Sequence, residues 1–154
     1  MRFSFDKTLS AEMPKGFTEM TAEQIRQVFP QTKAKIHGIR CKERNIVIAV
    51  FSRREIPVIS AIADIDATVK NLESRTQAAL KELDYQKIGD VETEIAGCRA
   101  KGIRYKYQSV KLMLGELLVT RHDKMHYTLH FFAPEDDPES LSELETVLRS
   151  IQFQ

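Results

Sequence analysis

Three histidines stand four residues apart in the segment RHDKMHYTLHFF, at His122, His126 and His130. In a helix this spacing places imidazoles on one face, where they suit a metal ion. The segment is instead rich in aromatic and β-branched residues and alternates apolar side chains, which is typical of a strand. On a strand that rises about 3.4 Å per residue, the α-carbons of His126 and His130 lie about 13 Å apart. We therefore predict no shared metal and no cofactor at these histidines.

An antiparallel hairpin must contain these histidines, with strands over 113–120 and 125–132. A three-residue loop of residues 122–124 gives the better match of polarity, because it pairs Glu116 with His130 and Thr120 with His126 on an outer face. A two-residue loop pairs Glu116 with Phe131, which is a poorer match. On the favoured register Glu116 raises the pKa of His130.

A second hairpin is predicted from VETEI and CRAK, which flank the two-residue loop Ala96-Gly97. Its outer face carries the opposed ion pairs Glu94–Arg99 and Glu92–Lys101. Beyond it the apolar alternation slips by one residue at Gly102, which predicts a β-bulge. With that bulge, Arg104 and Lys106 continue the basic outer face, and neither has an assigned partner.

One partner-binding surface follows from these two registers. It is the outer sheet face, and its predicted residues are Arg104, Lys106, Glu116, His126 and His130. A solvated sheet face is the simpler alternative for the basic residues, and a docking surface for an acidic partner is the functional one.

No catalytic motif occurs in the chain: GxxxxGK, GxGxxG, GxSxG and HExxH are all missing from the sequence. Asp64 and Asp66 are interpreted as capping a helix rather than as a metal-binding DxD pair. The acidic run 135–137 is interpreted as a capping loop rather than a calcium loop. We therefore predict that the protein is not an enzyme.

Two cysteines, Cys41 and Cys98, occur without a CxxC spacing. Two isolated cysteines make no disulfide framework, so we expect reduced, partly buried thiols. The sequence gives little support to a nucleophilic role for either, although folding can bring a histidine close.

The elements that position these residues begin with a strand at 2–5 and the turn MPKGF. Thr21 is predicted to cap a helix, with Gln24 completing a capping box and Met20 and Ile25 forming a hydrophobic staple. The helix ends near Phe29, before a proline.

Two strands then follow, at 36–41 and 45–53, and the second is apolar at both parities, which predicts a central strand buried on both faces. A long helix is predicted from Asp64 to Leu83, with its apolar positions at spacings of three and four. A final helix is predicted to begin with Asp137 as N-cap and Pro138 as its first residue.

Length and composition fit one domain over residues 1–154. The net charge is +1 with mixed signs, which does not favour nucleic acid as a partner. The longest apolar run is six residues, over 46–51, far short of the about 20 that span a bilayer. The N-terminus has no signal-peptide pattern, so we expect a cytoplasmic protein unless a leader has been removed.

Several stretches resemble the PsbP-like family: MPKGF before MTAEQI, the IAGCRA hairpin leading into IRYKY, the strand YTLHFF and the closing LETVLRSIQF. That family includes DcrB-related proteins and a Ran GTPase-binding nuclear import factor. The resemblance covers nearly the whole chain and implies an α+β fold, an α/β/α sandwich around a twisted, mainly antiparallel sheet. Members mostly bind other proteins, as assembly factors, effector chaperones or a GTPase-binding factor.

The sequence thus predicts a small, non-enzymatic protein-binding domain, an adaptor or a chaperone, whose partner is another protein. The alternative is a small-ligand or metal-binding module that uses the strand face of His126 and His130.

Overall fold

The computed structural model describes residues 1–30, 35–54 and 65–154, so the predicted cap Asp64 lies outside the described residues. The strands in these ranges are β1 Arg2–Asp6, β2 Leu9–Glu12, β3 Thr18–Glu19, β4 Lys35–Cys41, β5 Ile46–Arg54, β6 Gln86–Ile95, β7 Cys98–Gln108, β8 Leu112–His122, β9 Met125–Pro134 and β10 Gln152–Phe153. The helices are α1 Ala22–Val28, α2 Ile65–Ala79 and α3 Ser140–Ser150, and a 3-10 turn Lys81–Leu83 follows α2.

Seven of these strands form the main sheet, in the antiparallel order β3-β4-β5-β9-β8-β7-β6. A small sheet, β1-β2-β10, packs with α3 on one face of the main sheet, and α1 and α2 pack on the other. The predicted fold class, an α/β/α sandwich around a mainly antiparallel sheet, is confirmed.

Strand β5 lies at the middle of this sandwich, between β4 and β9. Residues 46–50 are all buried, whichever face their side chains take. Apolar side chains at both parities are what a strand needs when both of its faces are covered. The predicted central strand is therefore confirmed.

Helix α1 begins as predicted. The hydroxyl of Thr21 accepts the N–H of Gln24 at 3.2 Å, and the side-chain oxygen of Gln24 accepts the N–H of Thr21 at 2.9 Å. Met20 is buried, and Ile25 packs on the same cluster. The N–H of Phe29 donates to Ile25 in the last turn, so the predicted capping box and helix end are both confirmed.

Helix α2 packs its predicted apolar stripe against the main sheet. Ile65 and Val69 are buried there, and Leu72 and Leu80 pack on the same cluster. The helix ends at Ala79 rather than continuing to Leu83, and the chain tightens into the 3-10 turn. The predicted helix is thus present with a shorter C-terminal end.

The β6–β7 hairpin has the predicted register, with Ile95 opposite Cys98 across a two-residue turn. Its ion pairs are different. Arg99 pairs diagonally with Glu92 at 3.2 Å, and the Nζ of Lys101 lies 2.7 Å from Asp66 of α2. The predicted ion pairs between directly opposed residues were therefore wrong, although the register is right. The carboxylate of Asp66 on α2 lies within reach of Lys101 and takes the place of Glu92.

The bulge predicted at Gly102 is also wrong. Pairing runs without a shift through Gly102 to both neighbouring strands, and the irregularity in β6 lies between Lys87 and Gly89. Apolar residues change parity at this point because both sheet faces are covered: Ala100 joins the core under α3, and Ile103 joins the core under α2. Arg104 and Lys106 therefore do not continue the face of Lys101.

Close approach of β7 and β8 explains why residue 102 is a glycine. A Cβ atom at Gly102 would lie 1.6 Å from the carbonyl oxygen of Leu117 on β8. Any larger residue must push the two paired strands apart.

The β8–β9 hairpin uses the two-residue loop that polarity disfavours. His122 pairs with Met125, Leu117 with His130, and Glu116 with Phe131. The loop residues have φ of 47° and 63°, the left-handed region that a tight mirror-image turn requires. The three-residue register was wrong because Glu116 finds its charged partner on β7, and so needs no polar residue on β9.

Helix α3 begins at Ser140 rather than at Pro138, with Glu139 in the N-cap position. The carboxylate of Asp137 accepts two hydrogen bonds from Arg44 on the β4–β5 turn, at 2.8 and 2.9 Å, and one from the N–H of Glu139 at 3.3 Å. The predicted N-cap at Asp137 was thus wrong by two residues, and this carboxylate takes part in a charge-assisted bidentate pair.

Strand β1 is found as predicted, but β2, β3 and β10 were not predicted. Strand β2 has Leu9, Ser10 and Ala11 all buried, so it lacks the alternation that identifies a strand from sequence. In the described ranges, none of the helices is long and apolar enough to cross a membrane.

We expect Gly102→Ala to lower the free energy of unfolding by about 3 kcal/mol, because the added methyl group collides with the backbone of β8. Gly89→Ala is the matched control, since a Cβ atom there meets nothing within 4 Å. Its effect should stay within about 1 kcal/mol. Urea denaturation of both variants measures the difference, and equal effects would contradict the strand-contact explanation.

Candidate functional site

The five residues of the predicted surface do not share one face of the sheet. By strand alternation and register, Arg104, Lys106 and Glu116 face the α3 side, whereas His126 and His130 face the α1 and α2 side. The prediction of a single exposed surface was wrong in its geometry. Whether any of these residues contacts a partner stays a prediction.

The two cations of that set have carboxylate partners. Arg104 donates its Nε and an Nη to one oxygen of Glu116, at 3.0 and 2.7 Å. Glu116 is 3% exposed and lies in a groove of about 430 Å³ between α3 and strands β6 to β8. The Nζ of Lys106 lies 3.5 Å from Glu135. Both residues had been predicted from the sequence without partners.

His130 lies among aromatic rings. Its ring centroid is 4.7 Å from that of Phe51, 5.6 Å from Phe29 and 6.1 Å from Phe132. Burial lowers the pKa of His130 to about 4, because the charged imidazolium is poorly solvated there. The predicted rise through Glu116 was wrong, since the sheet separates the two side chains.

Metal binding at the histidines receives no support from the described part of the chain. His126 is buried, and His122 pairs with Met125, so by strand alternation His122 faces the α3 side, opposite to His126 and His130. No group of three or more histidine, cysteine or acidic side chains is arranged there to hold a metal ion.

An aromatic row crosses the sheet beneath the two helices. Its rings contact one another in the order Tyr85, Tyr105, Tyr107, Phe132, His130 and Phe51. The ring of Tyr105 lies over Gly115, where a Cβ atom would come within 2.3 Å of it. Burial raises the pKa of Tyr107 to about 12, so these phenols stay neutral and apolar in character.

An open groove of about 890 Å³ lies over one end of this row. Four apolar side chains form its floor: Val47, Tyr107, Met113 and Phe132. Val28 at the end of α1 and Leu80 just beyond α2 form its walls. We call this the apolar groove. It is a concave site lined mainly by apolar and aromatic groups, the kind of surface that binds ligands or peptide segments.

Exposed apolar residues continue the groove at its margin. Val110, in the β7–β8 loop, is 98% exposed and lines the groove. Val28, at the end of α1, is 37% exposed and also lines the groove. Apolar side chains clustered beside an apolar cavity are a mark of an interaction surface, whereas isolated ones are ordinary.

Acidic side chains dominate the rim of the groove. Its described charged residues are Glu43, Arg44, Lys111, Asp136, Asp137 and Glu139, which makes four carboxylates against two cations. The rim therefore carries a formal excess of two negative charges.

Arg44 fixes part of this rim. Besides its two bonds to Asp137, it lies 2.5 Å from Glu143 of α3. The hydrogen bonds from Arg44 hold the pKa of Asp137 below its usual range. The β4–β5 turn and the start of α3 are thus joined by a charged contact that stays formed near neutral pH.

Sequence reasoning missed the apolar groove because its lining comes from the end of α1, the residue after α2, four strands and three loops. One local signal was present. In Ser109-Val110-Lys111, an apolar residue stands between polar ones in a loop, where burial gives no reason for it.

Lowering the pH should destabilise the protein through His130. Unfolded histidine has a pKa of about 6.5, so between about pH 6.5 and 4 the unfolded chain binds a proton that folded His130 does not. We expect the free energy of unfolding to be roughly 1 to 2 kcal/mol lower near pH 5 than near pH 7.5. His130→Phe should remove that part of the loss, as measured by urea denaturation.

His37→Gln is the control for this prediction, because His37 lies on β4 outside the aromatic row. If the free energy of unfolding depends on pH in the same way in the wild type and in His130→Phe, the loss of stability does not come from His130.

A scan against protein-family models finds no match, and no curated protein matches the sequence. Solved structures do match. The cyanobacterial PsbP protein CyanoP from Synechocystis sp. PCC 6803 is 13% identical with a TM-score of 0.69, over 100% of this chain and 92% of that chain. LpqN of Mycobacterium tuberculosis, described as involved in cell envelope biogenesis, is 12% identical with a TM-score of 0.66, over 97% and 86%.

A protein from Bacteroides thetaiotaomicron VPI-5482 is 10% identical with a TM-score of 0.64, and the match covers 99% of this chain. This chain spans 48% of that protein, about half its length. At such identities the likeness shows the fold alone. The predicted resemblance to DcrB-related proteins and to the Ran-binding factor stays a prediction. The chain has a PsbP-like fold.

Proposed function

We propose that this protein is a non-enzymatic protein-binding domain, an adaptor or chaperone, and that the apolar groove receives a segment of its partner. The observation that carries the proposal is the open groove of about 890 Å³ with Val110 exposed at its margin. A volume of this order holds several side chains.

The chemistry of the floor supports protein binding. Tyr107, Phe132 and Met113 are of the residue types that are enriched at protein interfaces, and methionine adapts its shape to different apolar partners. The described lining contains neither histidine nor cysteine, and Arg44 and Asp137 satisfy each other. The groove thus offers no support for histidine or thiol chemistry.

The charge of the rim selects the kind of partner. An excess of carboxylates attracts lysine and arginine side chains, mainly by speeding association and disfavouring acidic competitors. We therefore propose a partner segment with apolar side chains for the floor and basic residues beside them.

Val110→Glu tests the groove. Its side chain is almost fully exposed, so the substitution leaves the core intact while it places a charge where an apolar contact is expected. We expect recovery of the crosslinked partner from native extract, and its affinity measured afterwards with the purified partner, to fall about tenfold or more. Ile88→Glu is the matched control, since Ile88 is also an exposed apolar residue but lies on the edge strand β6. If Val110→Glu recovers as much partner as the wild type does, the groove assignment is overturned.

Lys106→Glu tests the surface predicted from the sequence. We expect it to leave partner recovery unchanged, because Lys106 faces the α3 side. The double variant Arg104→Glu with Glu116→Arg reverses the second cation while it keeps an ion pair in place. Loss of the partner with these variants, and none with Val110→Glu, would move the site to the sequence-predicted surface.

Ligand or metal binding at the His126 and His130 strand is the alternative, and a thermal-shift series with zinc, nickel and copper tests it. A ligand that binds only the folded state raises the melting temperature. We expect no rise, and a rise lost in His130→Phe would support the alternative.

A further inference from the structure

Cys98 and His122 meet at the end of the main sheet away from the apolar groove. Pairing of β7 with β8 places Ala100 opposite Thr120, and two residues further along each strand stand Cys98 and His122. The Sγ atom of Cys98 lies 3.5 Å from the Nδ1 atom of His122. The fold thus brings together a thiol and an imidazole that are 24 residues apart in sequence.

An aromatic ring orients the imidazole. The ring of His122 stacks on Phe153 of β10, with centroids 4.2 Å apart and planes 9° from parallel. Phe153 in turn contacts Tyr127, at 5.3 Å between centroids. A nucleophile within hydrogen-bond reach of a base, with the base held by a third group, is the arrangement that activates a side chain.

The two cysteines of the chain differ in access. Cys41 is buried in the core at 5% exposure, whereas Cys98 is only partly buried and directly follows the Ala96-Gly97 turn. A thiol must be reachable to react, and of these two thiols Cys98 is the more accessible.

We propose that Cys98 is a site of reversible thiolation by low-molecular-weight disulfides, with His122 as its base. The thiol proton moves from Sγ to Nδ1 of His122, and the thiolate attacks one sulfur of the disulfide. The new bond joins Cys98 to that sulfur while the disulfide bond breaks, and the second half leaves as a thiolate that takes the proton. Cys98 is oxidised to a mixed disulfide and one half of the reagent is reduced to a thiol, so atoms and electrons balance.

The test measures how fast each thiol of the folded protein reacts with 4,4′-dithiodipyridine, an uncharged disulfide, at about pH 7. Two phases are expected, a fast one from Cys98, located by mass spectrometry, and a slow one from buried Cys41. We expect the fast phase to be quicker than the reaction of free glutathione. In His122→Phe we expect this phase to slow by at least threefold and by up to about a hundredfold.

His122→Phe keeps a ring to stack on Phe153, and persistence of the slow Cys41 phase reports that the variant remains folded. His37→Gln, which removes a histidine on β4, should leave the fast phase unchanged. If His122→Phe loses the slow phase, His122→Gln takes its place. A fast phase no quicker than glutathione, or one slowed less than threefold in the folded variant, overturns the proposal.

Discussion

Burial of the main sheet on both faces is the constraint on which the rest of the structure depends. Because helices and the small sheet cover the two faces, the central strand β5 is apolar at both parities over residues 46–50. A charged side chain that is buried on the sheet then needs an oppositely charged partner close by. Arg104 and Glu116 satisfy this requirement across β7 and β8. The tight packing also explains Gly102, whose missing side chain allows β7 and β8 to lie in contact.

The same constraint explains which predictions from the sequence succeed. The predictions that depend on neighbours in the chain were confirmed. They are the capping box at Thr21, the doubly apolar β5, the apolar stripe of α2 and the Ala96-Gly97 turn. The predictions that assumed one solvent-exposed face of the sheet were wrong. The bulge at Gly102 and the β8–β9 register were both inferred by sorting polar from apolar faces, and this sheet has no face of that kind in its middle.

The candidate sites were less predictable than the fold, for a geometric reason. The apolar groove draws its lining from elements at both ends of the chain, and Cys98 meets His122 only through strand pairing. Arg44 and Asp137 are 93 residues apart, yet they form a bidentate contact just before the start of α3. A sequence names the residue types for such contacts but does not give their distances. The PsbP-like fold, by contrast, was recognisable from short stretches spread over the chain.

The Arg44 contact has a kinetic consequence. It joins a turn, a loop and a helix into one rim before any partner arrives, so little of this rim remains to be ordered on docking. Association onto such a preformed surface is governed by diffusion and by long-range attraction to the uncompensated carboxylates. In the proposed complex, the rate of encounter should therefore respond to ionic strength, while the lifetime of the complex should depend on the apolar floor.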